Sequence, residues 1–249
     1  MEKRLQILIF FLLFQLSYIN AFNHDYSHTW VTKMLLAVPD KNGGSDVRLT
    51  FEQALEIIRQ SDNLSLGVPK IVYLVGWQYN GHDDKYPAFF EVNEYLKRDT
   101  DVSARESLRW LIREARKYNT TVSLHINVTD AYDDSPLWPE YVVNDLISKN
   151  ADGSLKVIGV YNGRKAYQIN YRNEWEAGYT QMRIDRLLDL LPELQESGTI
   201  HADAWIARPS EGHNETVIVE AEYQKKAAAY WKAKGLDITS EWMMDYMVG

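Results

Sequence analysis

The stretch GVPKIVYLVGWQYNGHDD, Gly67 to Asp84, decides the fold. Ile71 to Val75 is a short, nearly continuous apolar run rich in β-branched residues, as in a strand buried on both faces. An amphipathic stretch precedes it, RLTFEQALEIIRQSDNL (Arg48 to Leu64). There Phe51, Ala54, Leu55 and Ile58 fall on one helical face, and Thr50 is placed to cap the helix. Beyond the strand the chain turns polar, with Trp77, Gln78, His82 and Asp83. This turn lacks the GxGxxG spacing of a dinucleotide-binding sheet, and the chain has no P-loop.

The same alternation recurs downstream. Ser103 to Asn119 reads as an amphipathic helix, and Thr120 to Tyr132 as a strand that becomes polar at its end. Lys165 to Asn173 reads as a weaker third strand. A helix then runs to Leu191, where Pro192 interrupts it. GTIHADAW (Gly198 to Trp205) reads as a fourth strand, Glu220 to Gly235 as a helix closed by glycine, and LDITSEWMM (Leu236 to Met244) as a fifth strand. Alternating strands and helices predict an α/β fold with a parallel sheet, here a (β/α)8 TIM-barrel-like domain. A closed barrel of this kind has eight strands. The expectation is therefore a barrel truncated after about the fifth strand, with exposed sheet edges, poor stability and weak activity on its own.

Composition narrows the class. The chain has 249 residues, 45% of them hydrophobic, and a formal net charge of −8. That is enough apolar content for a real core, and the acidic balance argues against a nucleic-acid surface. Cysteine is absent, which removes disulfides and thiolate chemistry. At the N-terminus, Lys3 and Arg4 precede an apolar run from Ile7 to Leu16 and small and polar residues ending at Ala21. Residues 1–21 are expected to be a secretory signal peptide, being short for a membrane span. Residues 22–47 then form a polar lead-in and residues 48–249 the barrel domain. The expected product is secreted, periplasmic or cell-surface, with no membrane association after signal removal.

In parallel α/β folds, ligands sit at the carboxyl ends of the strands. The polar residues expected there are Trp77, Gln78, His82 and Asp83; His125, Asn127 and Asp130; Asn170 and Arg172; His201, Asp203 and Trp205; and Glu241 with Trp242. Acids, amides and aromatic rings with few cations suit a neutral polyhydroxylated ligand better than a phosphate. Period two puts His125 with Asn127, and His201 with Asp203 and Trp205, on shared strand faces. Asp203 and Glu241, at the ends of neighbouring strands, can approach the roughly 5–5.5 Å of a retaining glycosidase. The residues alone do not say which is nucleophile and which is acid. No cofactor is expected. A metal-dependent hydrolase built on His82, Asp83, His125, His201 and Asp203 is one alternative, and a non-catalytic sugar-binding barrel is another.

Several blocks resemble the endo-α-N-acetylgalactosaminidases, glycoside hydrolase family 101. YLVGWQYNGHDDKYP (Tyr73 to Pro87) is similar to that family's GxQxxGHDSxxP segment, and the block ending in HINVTDAY is similar to HxNxxEAY. AYQINYR resembles INxRYD, IHADAW the strand bearing the nucleophilic aspartate, and DITSEW the GTEF segment bearing the acid/base glutamate. The order of the five blocks matches. The resemblance implies a retaining glycosidase that releases Galβ1-3GalNAc from Ser or Thr of mucin-type O-glycans. It implies Asp203 as nucleophile, Glu241 as acid/base, Asp83 as a sugar-binding carboxylate, and Gln78, His82, His125 and Asn127 as glycone-pocket residues. The chain departs from the family pattern at Asp84, at Asp130, where the family has Glu, and at Asn173, where it has Asp. Ala207 to Thr216 is also longer than expected.

Overall fold

The computed structural model describes residues 22–242 and 244–245, so the leader read at residues 1–21 lies outside them. Five parallel strands form the central sheet: β1 (Trp30–Leu35), β4 (Lys70–Val75), β5 (Thr120–Asn127), β9 (Thr199–Asp203) and β10 (Asp237–Ser240). Their order is β1-β4-β5-β9-β10, and each pairs with the next in parallel. Successive strands being spatial neighbours, the sheet winds in one direction without a reversal point. That is the topology of a barrel wall, and a doubly wound sheet would reverse. The protein is a partial (β/α) barrel of five described strands.

Helices form where the sequence caps them. Helix α1 (Phe51–Ser65) starts at Thr50, whose hydroxyl accepts from the Gln53 N–H while the Gln53 side chain accepts from the Thr50 N–H, closing a capping box. Ser103 caps α2 (Ala104–Ala115), and Thr216 caps α7 (Val217–Ala233). The outward faces of the strands pack on these helices through Val72, Leu74, Val122, Leu124, Ile126, Ile200 and Ala202. The opposite faces carry Lys33, Tyr73, Ser123, His125, Thr199, His201 and Thr239, placed side by side by the register. Polar groups there find one another: the Tyr73 hydroxyl lies 2.6 Å from Thr199 Oγ1, and Thr239 donates to Tyr73.

Two readings of the sequence are corrected here. The lead-in at 22–47 contains β1, the strand that begins the wall, and a small hairpin of β2 (Ala37–Pro39) and β3 (Ser45–Val47). The stretch 165–173 contributes no barrel strand. Its first part is β8 (Arg164–Gln168), the middle of a separate antiparallel sheet with β6 (Asp130–Ala131) and β7 (Val157–Tyr161). Its second part opens helix α4 (Tyr171–Glu176), because Asn170 accepts from the Asn173 N–H and caps it. The excursion between β5 and β9 also carries α3 (Trp138–Val143), then α5 (Tyr179–Leu190) and α6 (Glu193–Ser197).

Candidate active site

The carboxyl ends of β4, β5, β9 and β10 meet at one polar cluster. Thr239 lies opposite His201 and Ser240 opposite Ala202, so the residues that follow along the two strands are Asp203 and Glu241. Nε2 of His125 lies 3.3 Å from Oδ2 of Asp203, close but not aligned as a hydrogen bond. Glu241 lies within hydrogen-bonding reach of Asp203 and is ion-paired with Lys33 of β1. His82 faces His125 with ring centroids 5.3 Å apart, and His125 stacks on His201 at 5.4 Å.

The loop after β4 is pressed into place by two glycines. Gly76 (φ +76°) and Gly81 (φ +131°) both adopt left-handed backbone, and a Cβ on either would lie under 3 Å from the backbone of Ala37 or Val38. This contact, with the His82 N–H donating to Ala37 O at 2.9 Å, fixes His82 and Asp83 at the mouth of the sheet. Asp130 reaches the same place on β6. There Asn127 Oδ1 accepts from the N–H groups of Thr129 and Asp130, which shapes the turn between β5 and β6.

Electrostatics separate the acids. Burial alone would raise Asp203, but contact with His125 and the proximity of Glu241 bring its carboxyl well below the usual range. Burial, then the charge of Asp203, push Asp83 and Asp130 each up to about 7. Burial lowers His82 to about 4, with His125 adding to the effect. It lowers His201 to about 3, with Lys33 and His125 contributing. At neutral pH the cluster therefore holds one firmly ionised carboxylate beside the neutral rings of His82 and His201, with two further carboxyls balanced between protonated and ionised forms.

Several residues expected at the site stand behind it instead. Trp77 is fully buried and donates from Nε1 to His125 O, so it supports β5 from the core side. Gln78 is buried and donates to the Tyr86 hydroxyl. Asn170 donates to Glu215 Oε2 at 2.5 Å and lies beside His213, away from Asp203. Arg172 lies on α4 and pairs with Glu176. Trp205 is only 6% exposed and belongs to the hydrophobic core, not to the face of His201 and Asp203. The cause is Ala204, whose φ of +40° breaks the strand alternation one residue after Asp203 and turns the indole inward. Trp242, by contrast, is 52% exposed beside Glu241.

Lys33 went unnoticed in the sequence. The signal that could have found it is the alternation in TWVTKMLLAV, Thr29 to Val38, which reads as a strand once the flanking polarity is set aside.

Comparison with known proteins agrees with this architecture. Residues 18–247 match the family described as endo-alpha-N-acetylgalactosaminidase. Among solved structures, ligand-free α-N-acetylgalactosaminidase NagBb from Bifidobacterium bifidum superimposes with a TM-score of 0.69 at 15% identity, over 88% of this chain and 36% of that one. Its GalNAc complex gives 0.67 at 12% identity, over 88% and 35%. The α-galactosidase TtGalA from Thermus thermophilus, in complex with stachyose, gives 0.53 at 15% identity, over 83% and 37%. The chain thus spans little more than a third of the length of the structures it matches, and at these identities the likeness concerns the fold.

Proposed function

Because the chain belongs to the endo-α-N-acetylgalactosaminidase family, we propose that it is an exported retaining glycoside hydrolase acting on α-linked GalNAc. Its proposed substrate is the Galβ1-3GalNAc disaccharide on Ser or Thr of mucin-type O-glycans. The observation that carries this reading is the meeting of Asp203 and Glu241 at the ends of adjacent parallel strands. Neighbouring strands are about 4.8 Å apart, which suits the roughly 5–5.5 Å between carboxyls of a retaining enzyme better than the wider gap of an inverting one.

Asp203, held ionised, attacks the anomeric carbon and forms a glycosyl ester as the bond to the leaving oxygen breaks. Glu241, in its protonated form, gives its proton to the leaving oxygen and, as the resulting carboxylate, takes one from the water that hydrolyses the ester. Lys33 and His125 hold the two carboxyls in this relationship. His82, Asp83 and Asp130 offer hydrogen-bonding groups at the mouth, and the exposed Trp242 ring offers a flat apolar face to sugar. Among the described residues no helix is long and apolar enough to cross a membrane.

The direct test is a panel of nitrophenyl α-glycosides that includes the disaccharide, with the product anomer followed by NMR. Release of α-configured Galβ1-3GalNAc supports the reading. Release of the β anomer, or no cleavage of any member, would overturn it.

A further inference from the structure

The same cluster contains a feature that sugar hydrolysis does not use. His82, His125 and Asp203 each place one donor atom within 4.8 Å of the others, and so do His125, His201 and Glu241. Each set is two imidazoles and one carboxylate, a donor combination that binds divalent transition metals. His125, 3% exposed, has no hydrogen-bond partner on either ring nitrogen. Nδ1 of His82 and Nε2 of His201 are buried without partners as well. Buried polar atoms are ordinarily satisfied, so four orphaned imidazole nitrogens in one cluster call for an explanation.

We propose that His82, His125 and Asp203 form a binding site for one zinc-class divalent ion, which blocks the catalytic site when bound. The donors are nitrogen-rich, which favours zinc, nickel, cobalt or copper over calcium and magnesium, whose preferred ligands are oxygens. Zinc–nitrogen and zinc–oxygen bonds of about 2.0–2.2 Å place tetrahedral donors roughly 3.3 Å apart. The cluster therefore closes on the ion by small side-chain rotations. His201 belongs to the second set, with His125 and Glu241: its Nδ1 lies 2.8 Å from Thr239 Oγ1, which orients the ring and leaves Nε2 open. A cation on Asp203 occupies the lone pairs needed for attack. The blocking part of the proposal rests on the hydrolase reading above; the binding part does not.

The test separates the two. The full chain, stripped with a chelator, is dialysed against zinc without substrate and its bound metal measured by elemental analysis. Cobalt substitution is followed by visible absorption. The expected result is one ion per chain, a ligand-field band with cobalt, no displacement by millimolar calcium or magnesium, and at least tenfold weaker binding in H82Q and H125Q. Because His82 is partly exposed whereas His125 is buried, H82Q keeps the test valid even if H125Q fails to fold. Absence of stoichiometric binding would overturn the site, as would binding unchanged in H82Q, or binding lost in H28Q, which removes the exposed His28 beside Asp25. A chain that binds zinc through His82 and hydrolyses no glycoside supports the site and overturns only the function.

Discussion

Nε2 of His125 lies 3.3 Å from Oδ2 of Asp203, while Glu241 approaches the same carboxylate from the next strand. Asp203 is therefore held ionised between these two neighbours, as the proposed nucleophilic role requires. Asp203→Asn should lower kcat by about 10⁴-fold or more while sugar binding survives. Turnover and isothermal titration with the disaccharide check both halves. Substantial residual turnover would rule out the role.

Glu241→Gln removes the proposed proton donor but keeps the shape of the side chain. Substrates with poor leaving groups should suffer by 10²–10⁴-fold, whereas nitrophenyl glycosides, whose phenolate departs without assistance, should lose far less. A Brønsted series across aryl and alkyl glycosides provides the measurement. Equal losses across the series would remove Glu241 from that role.

Lys33→Met separates positioning from stability. The Lys33–Glu241 pair is partly solvent-exposed, so its loss should cost no more than about 1 kcal/mol in folding. Freed Glu241 should nonetheless lower kcat roughly tenfold with little change in KM. A melting curve and a steady-state assay on the same preparation suffice, and unaltered kcat would assign Lys33 a merely electrostatic surface role.

The two tryptophans should behave in opposite ways. Trp205→Ala empties a core position and should destabilise by about 3–5 kcal/mol. Trp242→Ala removes an exposed ring and should raise KM severalfold while leaving the melting temperature in place. Denaturant titration distinguishes them, and a stable Trp205→Ala protein with impaired sugar binding would return that indole to the pocket.

Asp130 links the site to pH. Its carboxyl, raised from 3.8 to about 7 in the fold, contributes stability that is fully present below pH 3.8 and is lost as pH rises through about 7. Asp130→Asn cannot ionise and escapes that loss. Relative to the parent, the variant should therefore gain stability between pH 5 and pH 8, by roughly 2–4 kcal/mol. Paired melts across this range test the sign. A difference that stays flat from pH 5 to pH 8 would show that the carboxyl is ionised in the fold without cost.

Much of the barrel was legible because its signals are local. Thr50, Ser103 and Thr216 cap their helices, and the apolar run Ile71 to Val75 of β4 is buried at all five positions. What escaped depends on distant partners. The edge strand β1 exposes Trp30, Val31 and Leu35, so its burial pattern lacks the contrast that marks an inner strand. Residues 164–168 alternate in the same way whether they pair antiparallel in a hairpin or parallel in a wall, and only β6 and β7 decide between the two. At the site, Asp203 and Glu241 could be brought together by counting along neighbouring strands. Trp205 could not be placed that way, because counting by twos fails once Ala204 takes a positive φ.

The ion pair between Lys33 and Glu241 spans 208 positions of the chain. A ribosome would therefore release β1, β4, β5 and the strand of Asp203 before Glu241. On the proposed reading the site cannot work without β10, so a nascent chain stalled before Asp237 should be inert toward glycosides.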